Sequence, residues 1–280
     1  MSYFRPAIIV SGYGGWRVLE KTAPKQREVF EKSPGLLRDI EYFRENIAKA
    51  KTAEDLVKDR RLLTVALGAF GLGDEIGKRA FIQRILEGGT DNSDSFANRL
   101  NEPRYKAMAK AFGYGNVAGP KVELHSFQDD IVARFKSLEF ERAVGDVDAD
   151  MRVAMNFKRE IVAIASGESV DRAGWLQAMG QLPVRTLLTT AFGLPDSVAQ
   201  LDVDRQKEMF EAKAEQLYGD SSAKVFLEPE NVEDIIRRFF LFQQMKSGPN
   251  ATTPGIGALT MLQSSALGAG AALNLLMSQA

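Results

Sequence analysis

Cysteine is absent from this sequence, and histidine occurs once, at His125. Without cysteine the chain forms no disulfide, offers no thiol nucleophile and builds no cysteine-ligated zinc site. A lone histidine cannot supply a histidine-pair metal site or a histidine-based proton relay within one subunit. We therefore predict no catalytic residue, no metal and no cofactor, and we favour a protein that is not an enzyme.

An excess of basic charge is also missing, because 36 Lys and Arg residues face 37 Asp and Glu residues. Nucleic-acid-binding proteins usually carry a basic excess or a basic stripe, so we expect no nucleic-acid partner. Residues 1–16 hold one arginine and a short apolar run, without the features of a cleaved secretory signal. We expect the chain to start in the cytoplasm and to be either cytoplasmic or associated with a larger assembly.

What the sequence does contain is helical periodicity. Three segments repeat apolar residues every three or four positions: Leu36, Ile40, Phe43 and Ile47; Leu56, Leu62, Leu63 and Ala66; Val232, Ile235, Ile236, Phe239, Phe240 and Phe242. Ser33 followed by Pro34, and the capping-box string at residues 52–55, are typical helix starts. Only residues 7–11 and 121–124 resemble strands, so we predict an all-α, multi-helix fold.

The string Ala-Phe-Gly, followed by Leu or Tyr, occurs three times, at residues 69–72, 111–114 and 191–194. Each copy follows a helical run. We expect the Phe to pack the last helical turn and the Gly to end the helix in the left-handed conformation.

Two weaker echoes relate residues 128–135 to 232–239, and 100–103 to 227–229. They indicate two related helical halves, although helix ends can converge on such strings without duplication. The predicted organisation is an N-terminal segment (1–24), helical half one (25–146), helical half two (147–246) and a tail (247–280).

The tail carries no charged residue. Residues 247–257 read as a linker, and after it apolar residues follow heptad spacing: Leu259, Leu262, Ala266, Ala269, Leu273, Leu276 and Ala280. Gly268 and Gly270 weaken a helix there. Polar interruptions and the lack of flanking basic residues argue against a membrane span. We predict that Leu259, Leu262, Leu273 and Leu276 bind a partner, with plain disorder as the alternative.

Several polar clusters invite a chemical interpretation and are explained more simply by helix geometry. The glycine-rich string at 68–78 has the wrong spacing for a phosphate loop and is followed by Arg79. The three acids Asp146, Asp148 and Asp150 lack the Gly and Glu of a calcium loop and fit a helix start. Residues 91–95 fit a surface turn. His125, before a possible cap at Ser126, fits a structural residue.

Two pairs of adjacent acids, Asp129 with Asp130 and Glu233 with Asp234, recur in similar settings. Neighbouring residues on a helix point about 100° apart, so neither pair forms a ready carboxylate dyad. We expect both pairs to serve the first turns of their helices.

The segment at 14–22 (Gly-Gly-Trp-Arg-Val-Leu-Glu-Lys-Thr), the string at 38–46, and the later pieces at 69–72, 96–100 and 140–145 together resemble a known family. It is the alphaproteobacterial domain of unknown function twelve-seventeen, and the resemblance runs over about residues 14–242. It implies a helical protein whose gene often lies among flagellar genes. The family has no agreed activity, so the resemblance implies no catalytic residue.

Three features agree with a flagellar setting: the lack of cysteine, the lack of a cleaved signal and the heptad-like end. Our first hypothesis is a non-enzymatic, flagellum-associated interaction or assembly protein that binds a flagellar component or another copy of itself. The second is a cytoplasmic chaperone or regulator of flagellar export. The third is an enzyme of unrecognised class, with acids such as Asp91, Asp94 or Asp129 around a pocket.

Overall fold

The computed structural model describes residues 4–100 and 102–247, which form thirteen α-helices and no strand. The helices are α1 (Gly12–Glu31), α2 (Pro34–Asn46), α3 (Ala53–Lys58), α4 (Arg60–Gly68), α5 (Arg79–Gly88), α6 (Phe96–Arg99), α7 (Pro103–Phe112), α8 (His125–Gly145), α9 (Ala149–Ala165), α10 (Val170–Gly180), α11 (Leu182–Ala191), α12 (Val203–Tyr218) and α13 (Pro229–Ser247). Short 3₁₀ helices lie at Ile47–Lys49, Gly73–Glu75, Asp196–Gln200 and Ala223–Leu227. The predicted all-α class is confirmed.

Neither strand candidate is a strand. At residues 121–124 the backbone turns, because the Lys121 N–H donates to the Phe112 carbonyl at 3.0 Å and the Leu124 N–H donates back to Lys121. Residues 7–11 lie against α1 instead of pairing with another strand. The Ala7 N–H donates to Gln26 Oε1 at 2.9 Å, and the Gln26 amide donates to the Ala7 carbonyl.

The predicted helix starts at Thr52 and Pro34 are present, with two local differences. The Asp55 N–H donates to the Thr52 hydroxyl at 3.1 Å, and the Thr52 N–H donates to the Asp55 carboxylate at 3.0 Å. The apolar run behind this capping box is divided, because the Asp59 carboxylate accepts two backbone N–H groups and starts α4. Ser33 precedes Pro34 as expected, but its side chain makes no capping bond.

The three Ala-Phe-Gly strings end helices as predicted. Gly71, Gly113 and Gly193 all have positive φ, between 65° and 75°. In the first and third copies the following leucine N–H reaches back five residues to a helical carbonyl, at 2.9 and 3.0 Å, which is a Schellman ending. The second copy ends instead with the Gly113 N–H donating to the Ala109 carbonyl at 2.9 Å.

Apolar side chains form one core cluster that runs along the chain from Trp16 to Phe240. The turn between α8 and α9 holds the predicted boundary between the halves, and the core continues across it. The strings 128–135 and 232–239 each begin at the fourth residue of a helix and bury the same four positions. An amphipathic helix gives this pattern without duplication, so the relation between the halves stays a prediction.

The last helix, α13, packs between α1 and α11. It runs antiparallel to α1, because Phe240 contacts Trp16 with ring centroids 5.9 Å apart, whereas Glu233 meets Arg17 at 3.2 Å and Gln244 lies against Gly12. This places the end of α13 beside the start of α1. In the part of the chain that the structure describes, no helix combines the length and the apolar character needed to cross a bilayer.

Candidate functional site

The tail residues predicted to bind a partner, Leu259, Leu262, Leu273 and Leu276, lie outside the described residues. The described chain ends at Ser247, the last residue of α13. The end of this helix therefore fixes where the tail begins, and the side chains around it form the part of the candidate site that can be described.

The inner face of α13 anchors the helix in the core. Its buried residues are the ones that the periodicity predicts: Val232, Ile235, Ile236, Phe239 and Phe240. Phe242, at the edge of the predicted face, is half-buried against Gly193, the helix-ending glycine of α11. Because this face is packed, side chains on the opposite side of the helix must point to solvent.

The outward stripe of α13 changes character along its length. It begins with Asp234, whose carboxylate pairs with Arg237 at 2.5 Å and with Arg238 at 2.8 Å. In the last two turns the stripe continues as Leu241 and Met245, which are 47% and 74% exposed. These two residues, four positions apart and on one side of the helix, are called here the α13 end surface.

Two more exposed apolar side chains lie at the same end of the molecule. Gln244 contacts Gly12, and Ile9 and Val10 are both exposed within three residues of Gly12. Single exposed apolar side chains are normal on a soluble protein, so exposure alone does not indicate a binding surface, and the position of these residues must be considered. Here Ile9 and Val10 precede the start of α1, which lies beside the last turns of α13.

A charged cluster holds α13 against its neighbours. The Lys158 ammonium of α9 pairs with Glu20 of α1 at 2.5 Å and with Glu233 of α13 at 2.7 Å. Arg17 adds a contact to Glu233 at 3.2 Å. Burial acts to raise the pKa of Glu233, but the hydrogen bond and charge of Lys158 outweigh it, and the pKa is lowered. The cluster joins three helices and has a structural role.

The adjacent acids do not form dyads, as the helix geometry predicted. The expected role in the first turn is wrong, because both pairs are the fifth and sixth residues of their helices. Glu233 turns to Lys158, whereas Asp234 turns to Arg237 and Arg238. Asp129 pairs with Arg44 at 2.7 Å on an exposed surface, and Asp130 is exposed.

Helix-start geometry accounts for Asp148 and Asp150, but the prediction is wrong for Asp146, which lies at the end of α8. The Asp148 carboxylate caps α9 by accepting the Met151 N–H at 3.1 Å. Asp150 accepts a hydrogen bond from Gln243 of α13 at 2.8 Å, and its burial raises the pKa of its carboxyl. Within the described ranges no group of three or more acidic or histidine side chains is arranged to hold a metal ion.

The segment 91–95 is a turn, as expected. The Val117 N–H donates to Asp91 at 2.8 Å, and the Asp94 N–H donates to the Asn92 side chain at 2.9 Å. His125 is exposed and is the first residue of α8. The predicted cap at Ser126 is wrong, because a capping residue must precede the first helical residue and α8 begins before Ser126.

Sequence reasoning missed Leu241 and Met245. The periodicity of α13 predicts its buried face and gives no prediction for the apolar residues outside that face. The sequence does indicate their exposure. On a helical wheel, Leu241 and Met245 lie roughly opposite the buried Val232 and Phe239, on the same side as the charged Asp234 and Arg238.

A search of curated proteins gave no match. The crystal structure of a protein from Agrobacterium tumefaciens, solved as a structural-genomics target, is similar, with a TM-score of 0.69 and 26% sequence identity. The similarity covers 88% of this chain and 99% of that one. A family model matches residues 69–232, which is more than half of the chain. The chain therefore belongs to the family described as "Protein of unknown function (DUF1217)".

Proposed function

We propose that this protein is a non-enzymatic interaction or assembly protein associated with the bacterial flagellum, and that it docks its partner through the α13 end surface and the tail. One observation carries the proposal. The outward stripe of α13 changes from charged residues to Leu241 and Met245, and after Lys246 the chain continues as the segment 247–280, which contains no charged residue. Apolar side chains placed beside an apolar segment favour burial against another protein surface.

The flagellar setting comes from the family resemblance and from the composition of the chain. Family members often have genes among flagellar genes, and this chain shares with axial flagellar proteins a lack of cysteine and a heptad-like end. The partner would be a flagellar component or a second copy of the chain.

An enzyme of unrecognised class is the less favoured alternative. The acids that were candidates for chemistry serve separate structural contacts: Asp91 accepts a backbone N–H from Val117, and Asp129 pairs with Arg44. General acid–base chemistry needs such groups to converge on one reacting position.

The test removes residues 247–280 from the chromosomal copy and asks whether the protein still co-purifies with hook–basal bodies. Circular dichroism checks that the shortened protein keeps its helical content. We expect the full-length protein to co-purify and the shortened protein to stay behind, with reduced motility. Normal co-purification and motility of the shortened protein would contradict the proposal.

Cell fractionation separates this function from the alternative, a cytoplasmic chaperone or regulator of flagellar export. A chaperone stays in the cytoplasmic fraction and is absent from assembled hook–basal bodies. An assembly protein is found in both fractions.

A further inference from the structure

A cleft of about 750 Å³ lies between α2, α4, α8 and the 3₁₀ helix Gly73–Glu75, away from the α13 end surface. Its charged lining consists of four arginines and three acids: Arg38, Arg60, Arg61, Arg142, Asp39, Asp74 and Glu139. We call it the arginine cleft.

Two of these arginines are held by the fold. Arg142 donates through Nε and Nη2 to the buried Glu139, at 3.0 and 2.8 Å. Arg61 donates to the carbonyl of Arg38 at 2.9 Å, and its guanidinium lies 4.0 Å from the centre of the Tyr42 ring. These contacts fix the walls of the cleft.

The other two arginines, Arg38 and Arg60, pair with no carboxylate among the described residues. Arg38 donates through Nε to the Pro34 carbonyl at 3.2 Å. This bond orients the guanidinium group and leaves its two terminal nitrogens available to donate to a ligand. Arg60 follows Asp59 at the start of α4, next to the Arg61 that bonds to Arg38. Two unpaired guanidinium groups from neighbouring helices therefore line one cleft.

A guanidinium group presents forked donors that match a carboxylate or a phosphate. The charges that line the cleft favour one of these two ligands over the other. Asp39, Asp74 and Glu139 lie in the same cleft and would repel the two charges of one phosphate dianion more strongly than the one charge that each carboxylate group of a peptide brings.

We propose that the arginine cleft binds carboxylate side chains presented by an acidic segment of a partner protein, through Arg38 and Arg60. This is a second docking site beside the α13 end surface. This proposal rests on the proposed function in one respect, that the ligand is part of a protein.

The experiment measures binding of a fluorescent hexaglutamate peptide to the full-length protein by fluorescence anisotropy at low salt, with a hexaglutamine peptide as the uncharged match. We expect the glutamate peptide to bind and the glutamine peptide not to bind. In Arg38→Gln/Arg60→Gln, loss of two charge-assisted contacts should weaken binding by about tenfold or more.

The matched control is Arg99→Gln, because Arg99 is an exposed helical arginine outside the cleft. It should change the affinity less than about twofold, since it removes one positive charge, where the double variant removes two, and does not touch the site. An equal loss in Arg99→Gln, equal binding of both peptides, or no binding at all would overturn the proposal. Displacement of the peptide by millimolar inorganic phosphate would overturn the carboxylate assignment.

This assay does not depend on the tail, so the two proposals fail separately. If removal of residues 247–280 abolishes co-purification but hexaglutamate does not bind, only the arginine cleft is refuted. If the peptide binds as expected and the shortened protein still co-purifies, only the tail-docking function is refuted.

Discussion

Gly68, the last residue of α4, lies directly against the ring of Phe135 in α8. A Cβ atom on Gly68 would stand 2.6 Å from Cε2 of that ring, which is closer than two carbon atoms can approach. Phe135 is fully buried in a close-packed core, so displacing its ring would disturb neighbouring side chains. The close packing of α4 on α8, which also shapes the arginine cleft, therefore depends on the absence of a side chain at Gly68.

Replacing Gly68 by alanine should destabilise the protein. Overpacking a tight core costs about 1–3 kcal/mol, and exchange of glycine for alanine in a helix returns about 1 kcal/mol. We expect a net loss of up to about 2 kcal/mol in the free energy of unfolding, measured by urea denaturation. The control is Gly77→Ala, because no heavy atom lies within 4 Å of a Cβ at Gly77. If both variants are equally stable, the contact does not limit packing.

Trp16 and Trp175 differ in one hydrogen bond, and we expect their replacement by phenylalanine to change the free energy of unfolding by different amounts. Both are 2% exposed, but only the Trp175 indole N–H has an acceptor among the described residues, the Ser221 carbonyl at 2.8 Å. Trp175→Phe should lower the free energy of unfolding by about 1 kcal/mol more than Trp16→Phe, because only the Trp175 substitution removes a hydrogen bond. Equal losses in urea denaturation would mean that the bond contributes nothing net.

The Lys158 cluster predicts a pH dependence. The pKa of Glu233 is lowered in the folded protein, against burial, by Lys158, so its stabilisation is present above its ordinary pKa near 4.5. It is lost as the pH falls through the lowered folded value. Lys158→Met should cost about 1 kcal/mol at pH 7, a modest value because these side chains are partly exposed. The difference from wild type should shrink as the pH is lowered from 7 towards 3.

The control for this prediction is Lys32→Met. Lys32 pairs with Glu28 at 2.6 Å on one exposed helix face, without a second helix to join. Water screens this pair, so we expect no resolvable change in the urea midpoint at either pH. A deficit in Lys158→Met that stays constant with pH would show that packing, and not charge, explains the effect.

Much of the fold could be predicted from local patterns. The Ala-Phe-Gly strings marked real helix ends because only glycine readily adopts the left-handed conformation required there, as at Gly71 and Gly193. The division of α3 from α4 was missed, because Asp59 reads as one more polar residue in a helical run. Its carboxylate also accepts a hydrogen bond from the Tyr42 hydroxyl at 2.7 Å, a tertiary contact that short-range periodicity does not encode.

The candidate site was harder to predict. Periodicity indicated the buried face of α13 but not the exposure of Leu241 and Met245, which depends on how α1 and α11 flank the helix. The arginine cleft combines residues from α2, α4 and α8, which are separated by up to 107 positions in the chain, from Gly35 to Arg142. Such sites depend on long-range packing, which a single sequence shows only weakly.

The central claim is that the apolar end of α13 docks a protein partner. The most direct test introduces Leu241→Glu and Met245→Glu together in the full-length protein and measures co-purification with hook–basal bodies. Val117→Glu is the matched control, because Val117 is 96% exposed and lies outside α13. Loss of co-purification in the α13 double variant, with a normal Val117 variant and normal helical content in both, is the predicted result. Co-purification of the double variant at the wild-type level would contradict the claim.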